Sequence, residues 1–257
     1  MAKSSSSRSS ASGDAVGAAS ASAPHYTLPS ASSQDTGVQS LPQLAKRFNQ
    51  EYQGQKAELP PEVEEMEIAQ QCRSGQLQAQ LVSPFWELAK PQKKQHCLDL
   101  GCGLSFLVYP WREWEAFFHG HEISSVARDL LVARGPQLNS KLFKGVVLKP
   151  AHQLDEYGSG FFDLAIATGF SYYFPLAYWE MVLRQVKRVL KPGQPFVFDV
   201  VRGELDFAEN WAILETYLGT EVFLEPMERW KALIQSAGAR VVKQSSGELL
   251  HQFKVVW

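Results

Sequence analysis

A glycine-containing turn is the segment of this sequence best suited to hold a ligand. An apolar run with one acid, Leu98-Asp99-Leu100, leads directly into Gly101-Cys102-Gly103. Glycine has no Cβ, so the backbone here can turn sharply and approach a ligand closely. Phe106 stands where the GxGxxG pattern has its third glycine, and this argues against a dinucleotide. The acid at Asp99 instead suits a cationic ligand that carries an amino-acid group.

A second acid follows at a spacing that suits recognition of a ribose. Glu122 lies 19 residues past Gly103, at the end of the next predicted strand. A carboxylate at that place can accept hydrogen bonds from both hydroxyls of a ribose. The alternative, in which the glycines form a bare turn and Asp99 only caps it, leaves this spacing unexplained.

From residue 96 onward, strand patterns and helix patterns alternate. Five compact apolar runs, with helical patterns among them, predict βαβ units and a largely parallel sheet. The final segment, RVVKQSSGELLHQFKVVW, gives two more strands joined by a short turn, and these must be antiparallel. The sequence therefore predicts an α/β fold: a Rossmann-like doubly wound mixed sheet of seven strands, the last strand antiparallel, with a helical N-terminal cap.

The chain ahead of the predicted sheet divides into two parts. Residues 1–40 are rich in Ser and Ala and nearly lack large apolar side chains, which predicts a disordered arm. The same acid-poor composition is also typical of an organellar transit peptide. Residues 41–95 carry helical patterns and predict a helical cap, packed on a Rossmann-like domain formed by residues 96–257.

Composition excludes several kinds of protein and site. The formal net charge of −2 argues against a polybasic surface, so we expect no nucleic-acid partner. No apolar stretch approaches the ~20 residues that span a bilayer, so we expect no membrane partner. The three cysteines form no CxxC pair, and His119 and His121 lack further ligands, so we expect no metal. We expect a cytoplasmic protein, or an organellar one if the arm is a transit peptide.

Five segments, in chain order, resemble the class I S-adenosylmethionine-dependent methyltransferases. CLDLGCGLS resembles the family's motif I, and HEISSVARDLLVAR looks like its second strand end and following helix. GFFDLAIATGFSYYF looks like the fourth strand with its active-site loop, and VKRVLKPGQPFVFDV is similar to the segment that leads into the fifth strand. ERWKALIQSAGARVV resembles the last helix and the sixth strand. The resemblance covers roughly residues 80–257 and implies the cofactor S-adenosylmethionine.

The resemblance also implies a role for each candidate site residue. Asp99 would lie beneath the turn, whose residues run along the methionine part of the cofactor. Glu122 would take the ribose hydroxyls, and residues after the second, third and fourth strands would border the adenine and line the cofactor. The remaining implied cofactor-binding residues are Gly101, Cys102, Gly103, Ile123, Ala151, His152, Thr168 and Gly169.

Two positions depart from the family pattern. Ser105 replaces the usual third glycine of motif I, and a small side chain is tolerable there. Pro150 stands where many members carry an Asp that receives the adenine amino group. This second departure weakens the adenine assignment and leaves the fold assignment intact.

The implied function is S-adenosylmethionine-dependent methyl transfer to a small-molecule acceptor, and the sequence identifies no catalytic residue. Tyr172 and Tyr173 either form a wall for the acceptor or pack beneath the cap. An insert at residues 202–226 is expected to cover the acceptor pocket together with residues 41–90. Two alternatives stay open: a non-catalytic cofactor-binding or regulatory member of the fold, and a nicotinamide-dependent oxidoreductase.

Overall fold

The computed structural model describes residues 36–257, and a mixed sheet of seven strands forms its centre. The strand order across the sheet is β3-β2-β1-β4-β5-β7-β6, where β1 to β5 are parallel and β7 is antiparallel to both neighbours. This confirms the predicted mixed sheet and its antiparallel last strand. The strands are β1 His96–Leu100, β2 Phe117–Glu122, β3 Phe143–Leu148, β4 Leu164–Ala167, β5 Phe196–Val201, β6 Arg240–Ser246 and β7 Leu250–Val256.

The chain reverses its direction of strand addition between β1 and β4, which are neighbours in the sheet. At such a switch point the loops after adjacent strands diverge, and a crevice opens beyond the carboxyl ends of the strands. The glycine turn follows β1 and the expected ribose acid ends β2, so both lie at this crevice.

Ten α-helices lie among the described residues, and most match the predicted helical segments. The segment 60–82 forms three short helices: the first ends at Glu64, and Gly75, with a φ of 78°, separates the other two. The helices are α1 Leu41–Tyr52, α2 Pro61–Glu64, α3 Glu67–Ser74, α4 Gln76–Leu81, α5 Ser105–Val108, α6 Trp111–Trp114, α7 Ser125–Asn139, α8 Leu176–Val189, α9 Asp206–Tyr217 and α10 Met227–Ser236. None of these described helices is long and apolar enough to cross a bilayer.

Two apolar clusters pack on the sheet, and alternation along β1 separates them. Leu98 and Leu100 belong to one cluster and Cys97 to the other, because successive strand residues point to opposite faces. The cap does not form a core of its own. Leu44 of α1 and Leu77 of α4 join the same cluster as Leu98, so the cap is packed directly on the sheet domain.

The start of the described chain differs from the expected boundary at residue 40. Val38–Ser40 form a 3-10 turn, although these residues fell within the expected disordered arm. The turn lies close to the sheet domain, since a Cβ on Gly37 would lie 2.7 Å from Pro175 Cδ. The rest of the expected arm, residues 1–35, lies outside the described residues.

Candidate functional site

A cavity of about 340 Å³ opens at the carboxyl ends of β1, β2 and β4 and is roofed by the cap. Its volume is within the range of small-molecule sites. Its floor contains the glycine turn and the ends of β2 and β4, while α1 and α4 supply the roof. The residues that line it from the sheet domain include Gly101, Cys102, Gly103, Glu122, Ile123, Ala151, Thr168 and Gly169.

Both glycines of the turn are required by its geometry. Gly101 has a φ of 61° and Gly103 a φ of 46°, which side chains rarely adopt. A Cβ on Gly101 would lie 2.7 Å from Phe170 Cδ1, and a Cβ on Gly103 would lie 2.6 Å from Tyr52 Oη. The turn thus lets aromatic side chains from the β4 loop and from α1 close over the backbone.

Glu122 ties the glycine turn to the end of β2. Its Oε2 accepts a hydrogen bond from the Gly103 N–H at 2.7 Å. Its Oε1 accepts from the N–H groups of Ile123 and Ser124, each at 2.8 Å. Burial raises the pKa of this carboxyl, and the three N–H donors oppose the rise. The side chain therefore lines the cavity and organises the backbone around it.

Asp99 lies beneath the turn and does not line the cavity. It is 1% exposed, and the Ser105 hydroxyl donates a short hydrogen bond to its Oδ2. Within the described part of the chain, Oδ1 has no partner. Burial raises the pKa of Asp99 to about 7 despite the bond from Ser105. Ser105, at the position of the usual third glycine, thus supplies a hydrogen-bond donor to the buried Asp99 carboxyl.

A third buried acid supports the end of β4, and the sequence reading did not single it out. Asp199 of β5 accepts a hydrogen bond from the Gly169 N–H at 2.9 Å. Burial raises the pKa of Asp199 to about 6, while bonds from Gly169 and the Ser83 hydroxyl oppose the rise. An acid inside the apolar run FVFDVV was the available signal, because a fully buried carboxylate needs a nearby donor.

The structure brings together eight of the ten predicted cofactor residues as cavity lining. Asp99 supports the turn from below, as the resemblance implied. His152 differs from expectation, since it lies outside the lining and its ring packs edge-on against Tyr178, with centroids 5.1 Å apart. Its neighbour Ala151 reaches the cavity, so the turn after β3 presents one residue and turns the next away.

Four side chains that line the cavity, three from the cap and one from the sheet domain, were missed by sequence reasoning. Phe48 and Tyr52 of α1, Leu81 of α4 and Tyr109 after α5 all line the cavity. Burial raises the pKa of Tyr109 to about 12, so its hydroxyl stays protonated and can donate a hydrogen bond. A helical pattern shows which face of α1 is apolar, but it does not show which of those residues lies over the turn.

The remaining candidates, Tyr172, Tyr173 and His119, contact other side chains of the fold. Tyr172 packs edge-on against Trp211 with centroids 4.3 Å apart, and Tyr173 donates a hydrogen bond to Glu215 at 3.0 Å. Both tyrosines are buried outside the cavity lining, so the packing alternative is the one observed. His119 pairs with His96 at 2.9 Å between ring nitrogens. No group of three His, Cys, Asp or Glu residues able to hold a metal occurs within residues 36–257.

A second cavity, of about 420 Å³, lies against the cap helices α1 and α4. Glu51, Gln78 and Leu81 line both cavities. The insert expected to cover the acceptor contributes α9 to this second cavity, through Leu214, Glu215 and Leu218, and contributes nothing to the lining of the first.

A family model described as a methyltransferase domain matches residues 98–198, which run from within β1 into β5. Within the same range the structure has the switch-point crevice, the acid-supported turn and the acid at the end of β2. Residues 98–198 are thus similar to a methyltransferase domain, and solved S-adenosylmethionine-dependent methyltransferases share the fold. The expected family, enzyme class and cofactor are confirmed, and the nicotinamide alternative finds no support. No curated protein matches the sequence.

Solved structures of methyltransferases share the fold at low sequence identity. A SAM-dependent methyltransferase from Aquifex aeolicus is 14% identical, with 72% of this chain and 96% of that chain covered and a TM-score of 0.53. Magnesium protoporphyrin IX methyltransferase from Synechocystis PCC 6803, with bound SAH, is 12% identical over 84% and 98%, with a TM-score of 0.55. A geranyl diphosphate methyltransferase is 10% identical over 71% and 77%, with a TM-score of 0.55. At such identities the likeness extends to the fold alone.

Proposed function

We propose that this methyltransferase holds S-adenosylmethionine in the first cavity and transfers its methyl group to a small-molecule acceptor. The observation that carries the proposal is the arrangement around Glu122, where one buried carboxylate holds both the glycine turn and the β2 end at the cavity floor. In this arrangement Glu122 would meet the ribose, Ile123 and Ala151 the adenine, and the glycine turn, Thr168 and Gly169 the methionine part.

The charges of the cavity fit this cofactor. Two carboxylates, Glu51 and Glu122, line the first cavity together with one ammonium, that of Lys149. S-adenosylmethionine carries a sulfonium, an ammonium and a carboxylate, so it has a single net positive charge and complements the lining. Asp99 adds a buried carboxyl oxygen beneath the turn that has no partner among residues 36–257. A dinucleotide pyrophosphate would bring negative charge to the same acids and is disfavoured.

The chemistry requires alignment more than a protein nucleophile. When bound, the cofactor supplies a methyl group on a sulfonium, which is its own activated leaving group. The chain's part is to fix the methyl donor on the cavity floor, to bring the acceptor into line and to exclude water. Phe170 and Tyr52 close over the two glycines and serve the last of these roles. The cap, residues 41–95, would then be the part that selects the acceptor.

Several observations support a small acceptor. The cap covers part of the first cavity, and no broad basic face is expected from a net charge of −2. The geranyl diphosphate methyltransferase that shares the fold was solved in complex with GPP and sinefungin, so this fold can hold small molecules.

Isothermal titration with S-adenosylmethionine, S-adenosylhomocysteine and NAD tests the cofactor. We expect one site per chain for the first two and no binding of NAD. A metabolite extract incubated with S-adenosylmethionine and the protein should then gain one methyl group on at least one component. Binding without any methyl gain would favour the non-catalytic alternative, and absence of binding would overturn the proposal.

A further inference from the structure

The second cavity is separated from the first by a shared wall of side chains. Glu51 on α1 and Gln78 and Leu81 on α4 form this wall, because each of them lines both cavities. A molecule in the second cavity that displaced the Gln78 or Glu51 side chain would reach the first cavity directly. Its volume of about 420 Å³ suits a molecule of two fused rings or similar size.

One part of the second cavity is apolar. Leu77, Leu214 and Leu218 line it, and none of the three lines the first cavity. They come from α4, from α9 and from the residue directly after α9, so the insert after β5 and the cap together make an apolar surface. An aromatic or aliphatic body would bury its surface there.

The charged groups of the second cavity neutralise one another. Its lining has two cations, Arg47 and Lys56, and two carboxylates, Glu51 and Glu215. Arg47 pairs with Glu51 at 2.7 Å and with Glu215 at 3.1 Å. Tyr173 donates a further hydrogen bond to Glu215 at 3.0 Å. Arg47 and Glu215 are 13% and 8% exposed, so a charged ligand that separated this pair would leave a buried charge uncompensated, which is costly.

Glu51 is the group at the shared wall that can handle a proton. It binds Arg47 through Oε2, and an ionised carboxylate has a second acceptor oxygen. Its side chain is 57% exposed, so solvent can remove a proton from it. Gln78 beside it offers both a donor and an acceptor.

We propose that the second cavity binds the methyl acceptor, and that the acceptor is an uncharged aromatic molecule with a phenolic hydroxyl directed at Glu51. This inference rests on the proposed function of the first cavity. In the reaction the phenolic oxygen forms a bond to the methyl carbon while the carbon–sulfur bond breaks, and the sulfonium becomes a neutral thioether. The phenolic proton passes to the Glu51 carboxylate and from there to solvent.

A matched set of naphthalenes tests the charge preference. The probes are 2-naphthol, naphthalene-2-carboxylate and 2-naphthylmethylammonium, which share one ring system and differ in charge. With the protein saturated by S-adenosylhomocysteine, we expect 2-naphthol to bind at least tenfold more tightly than either charged probe. Equal or tighter binding of a charged probe would overturn the proposed acceptor class.

Two neighbouring substitutions test the place. Ala57 is exposed and lines only the second cavity, so Ala57→Trp should fill it. Glu58 is also exposed and lines neither cavity, so Glu58→Trp is the control. We expect Ala57→Trp to weaken 2-naphthol binding at least tenfold and Glu58→Trp to change it less than twofold. Equal 2-naphthol affinity in the two variants would exclude the second cavity.

Glu51→Gln tests the proton acceptor. We expect at least a tenfold lower rate of 2-methoxynaphthalene formation, with 2-naphthol affinity changed less than threefold. An unchanged rate would remove Glu51 from the reaction. Affinity for S-adenosylhomocysteine is measured on every protein. If the wild type does not bind it, the proposed function fails; if all variants bind it while the naphthol results contradict expectation, only the acceptor inference fails.

Discussion

The two walls of the first cavity are built by different means. The floor, which we call the strand-end wall, consists of the glycine turn, Glu122, Ile123, Ala151, Thr168 and Gly169. Its shape depends on backbone groups held by buried acids, as in the bonds from Gly103 to Glu122 and from Gly169 to Asp199. The roof, which we call the cap wall, consists of side chains from α1 and α4, such as Phe48, Tyr52 and Leu81.

This difference matches the two tasks of a methyltransferase, which are binding the cofactor and binding the acceptor. A wall of backbone groups recognises one fixed ligand, and most substitutions there distort the turn itself. A wall of side chains can be changed one residue at a time without disturbing the sheet. The cofactor therefore suits the strand-end wall, and the acceptor suits the cap wall. Substitutions in the first should affect cofactor affinity strongly, and single substitutions in the second should affect it weakly.

The largest effect is expected for Gly101→Val. The φ of 61° strains a β-branched residue, and the new Cβ would lie 2.7 Å from Phe170. A cost of about 3 kcal/mol corresponds to at least ~100-fold weaker binding of S-adenosylhomocysteine by titration. Gly193→Val is the control, because Gly193 has a φ of 73° and no heavy atom near its Cβ position. Wild-type affinity in a folded Gly101→Val protein would exclude the turn from the site.

Glu122→Ala should have the next largest effect, on both affinity and stability. Three backbone N–H groups lose their acceptor, so we expect about 1–3 kcal/mol less stability by thermal or urea unfolding. Loss of bonds to the ribose would weaken S-adenosylhomocysteine roughly tenfold to several hundredfold.

A double-mutant cycle distinguishes ribose recognition from support of the turn. In the wild type, S-adenosylhomocysteine should bind more tightly than its 2′-deoxy analogue, and in Glu122→Ala this difference should shrink toward zero. A difference that persists in the variant would limit Glu122 to its backbone role.

The strand-end wall was predictable from sequence because glycines, acids and strand ends have fixed relations along the chain. The turn after β1 and Glu122 at the end of β2 follow from local spacing, and the structure places both at one cavity. The sheet was predictable for the same reason, since apolar runs and turn residues mark each strand. Asp199 was missed because its partner Gly169 lies 30 residues away, and no local pattern records that bond.

The cap wall was not predictable, because it depends on tertiary packing. The pattern of α1 shows an apolar face, yet Tyr52 meets Gly103 only through the angle at which α1 crosses the turn. The break at Gly75 divides the segment 60–82 and sets the direction of α4, which carries Leu81 into both cavities. His152 was misplaced for a related reason: residue order after β3 does not show which side chain turns inward.

The pH dependence of cofactor binding gives a smaller effect at the strand-end wall. The pKa of Asp99 is raised to about 7, so the group is largely protonated below that pH in the free protein. A cationic cofactor favours its ionised form, so S-adenosylmethionine should bind more tightly as pH rises through about 7. From pH 6 to pH 8 we expect about a tenfold gain in affinity by titration.

Two comparisons check this assignment. Asp99→Asn should remove the pH dependence, and S-adenosylhomocysteine, which lacks the sulfonium charge, should show a shallower one. The same raised pKa means that the folded protein binds more protons than the unfolded chain from about pH 4 to about pH 7, so its stability should fall as pH rises across that window. Equal slopes for both ligands would mean that Asp99 does not sense the sulfonium.

The smallest effect is expected for Tyr52→Phe, which removes one hydroxyl from the cap wall. Tyr52 Oη would lie 2.6 Å from a Cβ on Gly103, so this polar atom of α1 lies close to the turn that we propose holds the cofactor. Burial, followed by the charge of Glu122, raises its pKa, so the hydroxyl is a neutral donor at ordinary pH. Loss of one such bond costs about 0.5–1.5 kcal/mol, or roughly twofold to tenfold in affinity for S-adenosylhomocysteine.

Tyr217→Phe is the control, because Tyr217 is exposed and lines neither cavity. If Tyr52→Phe instead weakened the cofactor as much as Gly101→Val does, recognition would not divide between the two walls, and the cap would have to be counted as part of the cofactor site.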